Sequence, residues 1–140
     1  MQIHKRPGAM IKQLHDEIER RANSLLRDQD LTMAQMNVLM ELESAPERQL
    51  SLKELEHLLH VAQSTTAGIV ARLEQKGFVE CFAASDDRRV KLTRITSAGL
   101  ACCADAEKNI HSTEARLLAP LTDGERAMFS ELLERICEYL

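Results

Sequence analysis

The stretch that decides the fold is SLKELEHLLHVAQSTTAGIVARLEQKG, residues 51–77. It opens with Ser51 and Glu54, a capping-box spacing in which each side chain satisfies a free backbone N–H at a helix start. Leucines at helical spacing follow, and this short helix should stop near His60. A second helix begins after a few residues and ends at Gly77, which supplies the left-handed conformation common at helix C-termini. Two helices joined by so short a turn indicate a helix-turn-helix.

Beyond residue 77 the pattern changes from helical to extended. Residues 78–82 and 90–95 are rich in aromatic and β-branched side chains and flank a polar Ser-Asp turn, which predicts a β-hairpin. Residues 88–94 carry four positive charges and no negative one. A basic hairpin alone is usually a solvated surface. Beside a helix-turn-helix it fits duplex DNA, with the helix in the major groove and the hairpin reaching the minor groove.

Further helices are predicted on both sides of this region, from the spacing of apolar residues and two more capping boxes, Thr32 with Gln35 and Thr122 with Glu125. The predicted order is four helices, the hairpin and two helices, so the fold class is mainly α with a small β-hairpin. The first and last helices carry apolar stripes too wide for one small core to cover. We therefore expect them to pack on a second copy of the chain. The predicted outer helices span residues 7–27, 33–43, 100–118 and a final segment after residue 122.

The net charge of the 140-residue chain is −4, from 18 basic and 22 acidic residues. This balance argues against coating of nucleic acid by bulk charge. Residues 51–96 hold seven basic and six acidic side chains, a charge of +1, and the remainder carries −5. Any DNA contact must therefore come from a local patch. No apolar run is long enough to span a membrane, and no signal peptide is recognisable, so we expect no membrane contact and a cytoplasmic location.

Cysteine spacing points to neither a disulfide scaffold nor a zinc site, so we predict no metal and mostly buried, reduced thiols. Oxidant sensing through Cys81, Cys102 or Cys103 is the alternative. The fourth cysteine is Cys137. The chain also lacks a Gly-rich phosphate loop, a nucleophile elbow and a usefully spaced carboxylate pair. We therefore predict that the protein is not an enzyme and needs no cofactor.

Four short motifs, each different, are spread along the chain. They are Leu31-Thr32-x-x-Gln35, Arg72-Leu73-Glu74-x-x-Gly77 followed by Phe78-Val79-Glu80, Asp87-Arg88-Arg89, and Ile95-Thr96-x-x-Gly99. Together they resemble the MarR family of winged helix-turn-helix transcription regulators, and the resemblance extends over the whole chain. It implies a single MarR-type domain over residues 1–140. Its winged helix-turn-helix lobe would span 31–99, and its dimerisation helices 1–30 and 100–140.

The resemblance implies a homodimer that binds a pseudo-palindromic double-stranded operator and represses transcription. Family members commonly release DNA when a small aromatic or lipophilic effector, or an oxidant, reaches them. Carried onto this sequence, the recognition helix would begin with Gln63, Ser64 and Thr65, with Arg72 further along it. The wing tip would hold Arg88 and Arg89, with Asp87 positioned to orient one of them.

The chemistry of these residues suits such contacts independently. Gln bonds an adenine edge in two places, hydroxyls bond phosphates, and Arg suits a narrow minor groove. The three polar residues at the helix start could equally cap free backbone N–H groups. The helix departs from the family at Ala62, Ala67 and Gly68, where Ser, Thr or Ser, and Arg are frequent, and Cys81 and Phe82 replace an Arg that often opens the wing. The alternative function is therefore a winged-helix dimer that binds a protein and reads DNA weakly.

A methionine stripe on the second helix is the candidate effector site. Met33, Met36 and Met40 lie at i, i+3 and i+7, and flexible thioethers suit an adaptable pocket. Met10 on the first helix could join them, and His15 and Asn37 are the candidate polar groups. A methionine stripe at this spacing is also typical of plain hydrophobic core.

Overall fold

Six helices and a three-stranded antiparallel sheet form residues 5–140, the part of the chain that this computed structural model describes. The order agrees with the prediction, with one strand added before the helix-turn-helix. None of the described helices is long and apolar enough to cross a bilayer. The elements are α1 Pro7–Arg27, α2 Met33–Ser44, a 3-10 turn Pro46–Arg48, β1 Gln49–Ser51, α3 Leu52–Leu59, α4 Gln63–Gln75, β2 Val79–Ala83, β3 Lys91–Ile95, α5 Ser97–Leu117 and α6 Asp123–Tyr139.

The three predicted capping boxes are present and set the starts of α2, α3 and α6. At α2 the hydroxyl of Thr32 accepts from the Gln35 N–H at 3.1 Å, and the Gln35 side chain accepts from the Thr32 N–H at 3.2 Å. Each box satisfies two backbone donors that a helix start otherwise leaves free. This is why the predicted starts of these three helices agree closely with the observed ones. By contrast, α5 begins at Ser97, three residues before its predicted start, because Thr96 caps it.

The sheet contains the predicted hairpin and a short edge strand that the sequence pattern did not reveal. β3 lies in the centre, with β2 on one side and β1 on the other. In β1 only Leu50 is buried, opposite Thr93 of β3. Three residues are too few to show the alternation that predicts a strand. Its position also depends on the preceding turn, where Glu47 and Arg48 have φ of 56° and 55°.

The core lies beneath the helix-turn-helix, and α2 is its centre. Leu39 and Leu42 of α2, Leu55 of α3 and Leu73 of α4 are completely buried. On α4 the buried face is completed by Thr66 and Val70, as predicted from helical spacing. The opposite face of α4 is thereby left exposed.

By contrast, α6 buries none of its residues within the described chain. Its apolar side chains and those of the outer face of α1 border a groove of about 720 Å³. Burying apolar surface is the main favourable term in association. These two helices therefore carry the unpartnered apolar surface expected for packing on a second copy. The exposed residues include Met10, Ile11, Leu14, Ile18, Met128, Leu132, Leu133 and Ile136.

Candidate nucleic-acid interface

The start of α4 presents three exposed polar side chains, Gln63, Ser64 and Thr65. The N-cap is Ala62, whose backbone is extended, and no side chain of the described chain caps this helix. The alternative in which these residues cap their own helix is therefore absent from the part of the chain that the structure describes. Their hydrogen-bonding groups point to contacts outside the chain.

Further along α4, the exposed face passes through Gly68 to Arg72. Thr65, Gly68 and Arg72 follow at i, i+3 and i+7, so they lie along one face of the helix. A Cβ at Gly68 would have no neighbour within 4 Å among residues 5–140. The helix thus offers a smooth backbone surface between a polar end and one arginine.

The wing is the hairpin formed by β2, β3 and the loop between them, residues 79–95. At its tip the Asp87 carboxylate binds Arg89. Its Oδ1 accepts from Nε of Arg89 at 3.1 Å and from the Arg89 backbone N–H at 3.0 Å. These hydrogen bonds lower the pKa of the Asp87 carboxyl below its usual value. The structure thus pairs Asp87 with Arg89 rather than Arg88, which makes no salt bridge within residues 5–140.

The four positive charges of the wing are therefore not equivalent. Arg94 donates two hydrogen bonds to Oε1 of Glu80, at 2.8 and 2.6 Å, and its guanidinium lies 4.7 Å from the centre of the Phe82 ring. Phe82 of β2 thus supports an arginine from the neighbouring strand. Lys91, like Arg88, has no carboxylate partner in the described chain. Within that part of the chain, the free cations of the wing are Arg88 and Lys91.

A cleft of about 670 Å³ separates the wing from the helix-turn-helix. Gln63 and Arg89 line it, and so do Lys53, Lys91 and the Glu56 carboxylate. Sequence reasoning did not select Lys53 and Lys91 as site residues. The charge of residues 88–94 was a sufficient signal for Lys91, whereas only the fold shows that the first turn of α3 faces the wing.

Within residues 5–140, the six candidate effector residues do not border one common space. Met33 and Met36 border a small cavity of about 30 Å³ between α1, α2 and α5, whereas Met10 and His15 border the groove between α1 and α6. Asn37 and Met40 are exposed and border neither. The spacing along α2 does not show this, because the packing of α1 and α5 on α2 decides which side chains border the cavity. A single effector pocket that involves all six residues therefore stays a prediction.

The three candidate sensor thiols are not activated. Burial raises the pKa of Cys81 and Cys102, and it raises the pKa of Cys103 to about 12. Cys102 and Cys103 are buried, and Cys81 is half-buried. A reactive thiol is normally exposed and has a lowered pKa. Within residues 5–140 there is also no group of three or more side chains arranged to hold a metal.

Comparison with known proteins agrees with this architecture. The MarR family model matches residues 31–91. The multiple antibiotic resistance protein MarR of Escherichia coli is 28% identical over 130 residues, covering 92% of this chain and 89% of that protein. The uncharacterized HTH-type transcriptional regulator YxaD of Bacillus subtilis is 32% identical over 122 residues, covering 86% of this chain and 79% of that protein.

Solved structures show the same likeness. The wild-type apo form of E. coli MarR superposes with a TM-score of 0.85 at 27% identity, covering 94% of this chain and 96% of that one. A cysteine-to-serine mutant of that protein, solved in complex with operator DNA, gives a TM-score of 0.75 at 28% identity and covers 92% and 91%. Sequence motifs, element order and these matches agree, and the chain belongs to the MarR family of winged helix-turn-helix transcription regulators.

Proposed function

We propose that this protein is a DNA-binding transcriptional regulator, a repressor that a small-molecule effector releases from its operator. The observation that carries the proposal is the exposed, uncapped start of α4 beside a cationic wing. The relative that has been solved with operator DNA has the same fold and is 28% identical.

Each candidate residue has a role in this proposal. The start of α4 enters the major groove, where Gln63 bonds a base edge and Ser64 and Thr65 bond phosphates. Arg72 binds the backbone further along. Arg88 and Arg89 reach the minor groove, with Asp87 holding Arg89 in position. The backbone strand between the two grooves then passes the cleft, so Lys53 and Lys91 are placed to neutralise its phosphates.

We further propose a homodimer, because α6 has no buried residue in the described chain and the exposed apolar surface of α1 lies beside it. In this arrangement residues 1–30 and 100–140 form the dimerisation helices, and residues 31–99 form the DNA-binding lobe of a single domain. Two lobes related by a two-fold axis require an operator with matching half-sites. We also propose that the protein acts in the cytoplasm, where chromosomal DNA lies, and that it is not an enzyme.

The proposed effector is a small aromatic or lipophilic molecule. The small cavity between α1, α2 and α5 and the adjoining groove are both lined mainly by apolar side chains, including Met33, Met36 and Met10. Such lining favours aromatic and aliphatic ligands over highly polar ones. His15, in the groove, is the candidate polar contact, while Asn37 and Met40 would need a changed conformation or a second subunit to take part.

A protein-interaction module is the second candidate, favoured by the small outward face of α4 at Ala62, Ala67 and Gly68. A labelled DNA fragment from upstream of the protein's own gene distinguishes the two. The regulator should retard it at low salt. The R88A/R89A double variant should bind more weakly and lower the log-log salt slope by about 0.9 for each phosphate that the variant no longer neutralises.

If the wild-type protein binds no fragment from its own operon and captures one protein stoichiometrically, the interaction module is the correct function and the regulator is not. Aromatic acids added to the DNA complex then test release. A fragment that stays bound in the presence of every such compound would contradict the effector part of the proposal.

A further inference from the structure

The recognition helix is tied to the body of the protein at its C-terminal end, through Lys76. This residue caps α4, and its side chain extends to the turn that joins α1 to α2. There its ammonium group donates to the backbone carbonyl of Asp30 and to the side-chain oxygen of Gln35, the latter at 3.3 Å. The Asp30 carboxylate lies 3.8 Å away.

These acceptors match what a lysine can donate. An ammonium group has three N–H donors, and two of them bond the Asp30 carbonyl and the Gln35 side chain, both more than 40 positions away in the sequence. The Lys76 side chain is only 24% exposed. Gln35 is 5% exposed, and its oxygen also accepts from the Thr32 N–H in the capping box of α2. Because Gln35 is buried, the Lys76–Gln35 hydrogen bond is better shielded from water than a contact at a fully exposed surface.

The turn itself is shaped for this contact. It is a Schellman turn, in which Leu31 N–H bonds the Leu26 carbonyl and Asp30 N–H bonds the Arg27 carbonyl, both at 3.0 Å. Asp30 occupies the left-handed position, with φ of 54°, where glycine is usual. The end of α4 repeats the motif, with Gly77 at φ 78°. Lys76 thus joins two helix C-termini that have the same geometry.

The same turn lies beside the small cavity between α1, α2 and α5. Leu25 and Leu26, before the turn, and Met33 and Met36, after it, all border that cavity. On the other side, Cys102 of α5 donates to the Gln29 side chain at 3.4 Å. Among the described residues, no other side-chain hydrogen bond joins α4 to this turn. A displacement of the turn would therefore reach the recognition helix through Lys76, in addition to the packing of α2 on α4.

We infer that Lys76 is a positioning residue for DNA binding, one that fixes the orientation of the recognition helix by holding it to the α1–α2 turn without contacting DNA. The inference rests on the proposed DNA-binding function. Lys76 should therefore affect DNA affinity without affecting its salt dependence, because a positioning residue neutralises no phosphate. Arg88 and Lys91 should affect both.

The test compares Lys76→Met with Lys12→Met, a matched loss of one positive charge from the exposed face of α1. For Lys76→Met we expect DNA affinity to fall roughly fivefold while the salt slope stays at the wild-type value. Lys76→Arg should restore most of the affinity. Asp30→Gly should also bind like the wild type, because it keeps the backbone carbonyl that accepts from Lys76.

Hydrogen exchange gives a second readout on the free protein. Lys76→Met should accelerate amide exchange severalfold in the α1–α2 turn and at the end of α4, and Lys12→Met should not. A fall of about 0.9 in the salt slope would make Lys76 a phosphate-binding residue and overturn the inference. Identical behaviour of the two variants in both measurements would overturn it as well.

Failure of the proposed function looks different, since the wild type itself would then retain no DNA. The positioning role in DNA binding would fall with it. Exchange in the free protein would still decide whether Lys76 holds the turn to the helix.

Discussion

Asp87 and Arg89, two residues apart at the wing tip, form a pair in which one carboxylate oxygen accepts from both the backbone and the guanidinium of the arginine. The side chain of Arg89 is 92% exposed, so this pair fixes its direction without burying it. The arginine is therefore oriented before DNA arrives. Orientation costs less entropy on binding when it is already present in the free protein.

The first prediction concerns this pair. Arg89→Ala should weaken DNA binding, because it removes one cation and leaves the Asp87 carboxylate unpaired beside the phosphates. The Asp87→Ala/Arg89→Ala double variant should regain about two- to threefold, since repulsion between unit charges several ångströms apart in water is a fraction of a kcal/mol. Fluorescence anisotropy with a labelled upstream fragment measures both. Equal affinities would show that Asp87 does not face DNA.

The second prediction separates free from engaged cations in the wing. Lys91→Ala should lower the salt slope by about 0.9, because its ammonium has no carboxylate partner in the described chain and lines the cleft. Arg94→Ala should leave the slope unchanged, since its guanidinium already binds Glu80 and stacks on Phe82. Titrations at four salt concentrations give the slopes. A reversed order of the two variants would contradict the assignment.

The third prediction concerns Gly99, at the junction of the wing and α5. A Cβ there would lie 2.3 Å from the Phe78 carbonyl oxygen and 2.6 Å from Cγ1 of Ile95. Gly99→Ala should therefore destabilise the fold by about 1–3 kcal/mol, as overpacking does. Gly68→Ala is the matched control, with open space around it, and should stabilise the fold by roughly 0.5–1 kcal/mol. Urea unfolding at equal protein concentration measures both variants.

The fourth prediction tests the dimer. Ile136→Glu places a charge on the unpartnered apolar face of α6, where the native side chain is 56% exposed. Because desolvating an unpaired carboxylate opposes association, the variant should elute as a 15.8 kDa monomer. Glu134→Gln, on the same helix, should stay dimeric. Light scattering after gel filtration decides, and a wild-type monomer would remove the basis of the proposed homodimer.

The fifth prediction concerns the thiols and their pH dependence. A raised pKa leaves less thiolate at every pH below it, and the thiolate is the reactive form. Iodoacetamide should therefore label half-buried Cys81 first and buried Cys102 and Cys103 last, a comparison that does not depend on α6 and its Cys137. Cys103, with a pKa of about 12, should stay unlabelled in the native state even at pH 9. Peptide mass spectrometry gives the order, and labelling of Cys102 or Cys103 before Cys81 would contradict it.

Local patterns predicted most of the fold because the interactions that set it are local. The capping boxes at Thr32, Ser51 and Thr122 lie within four residues of their partners, and Gly77 ends α4 through its own backbone. The edge strand at Leu50 escaped prediction because it exists only through pairing with Thr93, 43 positions later in the numbering. Pairing partners at such separations leave no periodic trace in a three-residue segment.

The sequence predicted which charged residues form the candidate site, but not which of them are free to bind DNA. The charges of residues 88–94 predict a basic wing. The sequence does not show that Arg94 binds Glu80 across the strand pair, or that Arg88 and Lys91 have no carboxylate partner among residues 5–140. Helical spacing also does not show that Met33 and Met36 border the small cavity whereas Met10 borders the adjoining groove. That division depends on how α1 crosses α5 and leaves α6 apart.

By itself, therefore, the sequence determined the helices, their ends, the hairpin and the family, because short-range hydrogen bonds and the spacing of apolar residues specify these directly. Only the tertiary structure decided which wing cations are engaged, which faces remain uncovered, and that Lys76 reaches back to Asp30 and Gln35. These depend on the packing of elements far apart in the chain, where the partner of a charged side chain is chosen by the fold.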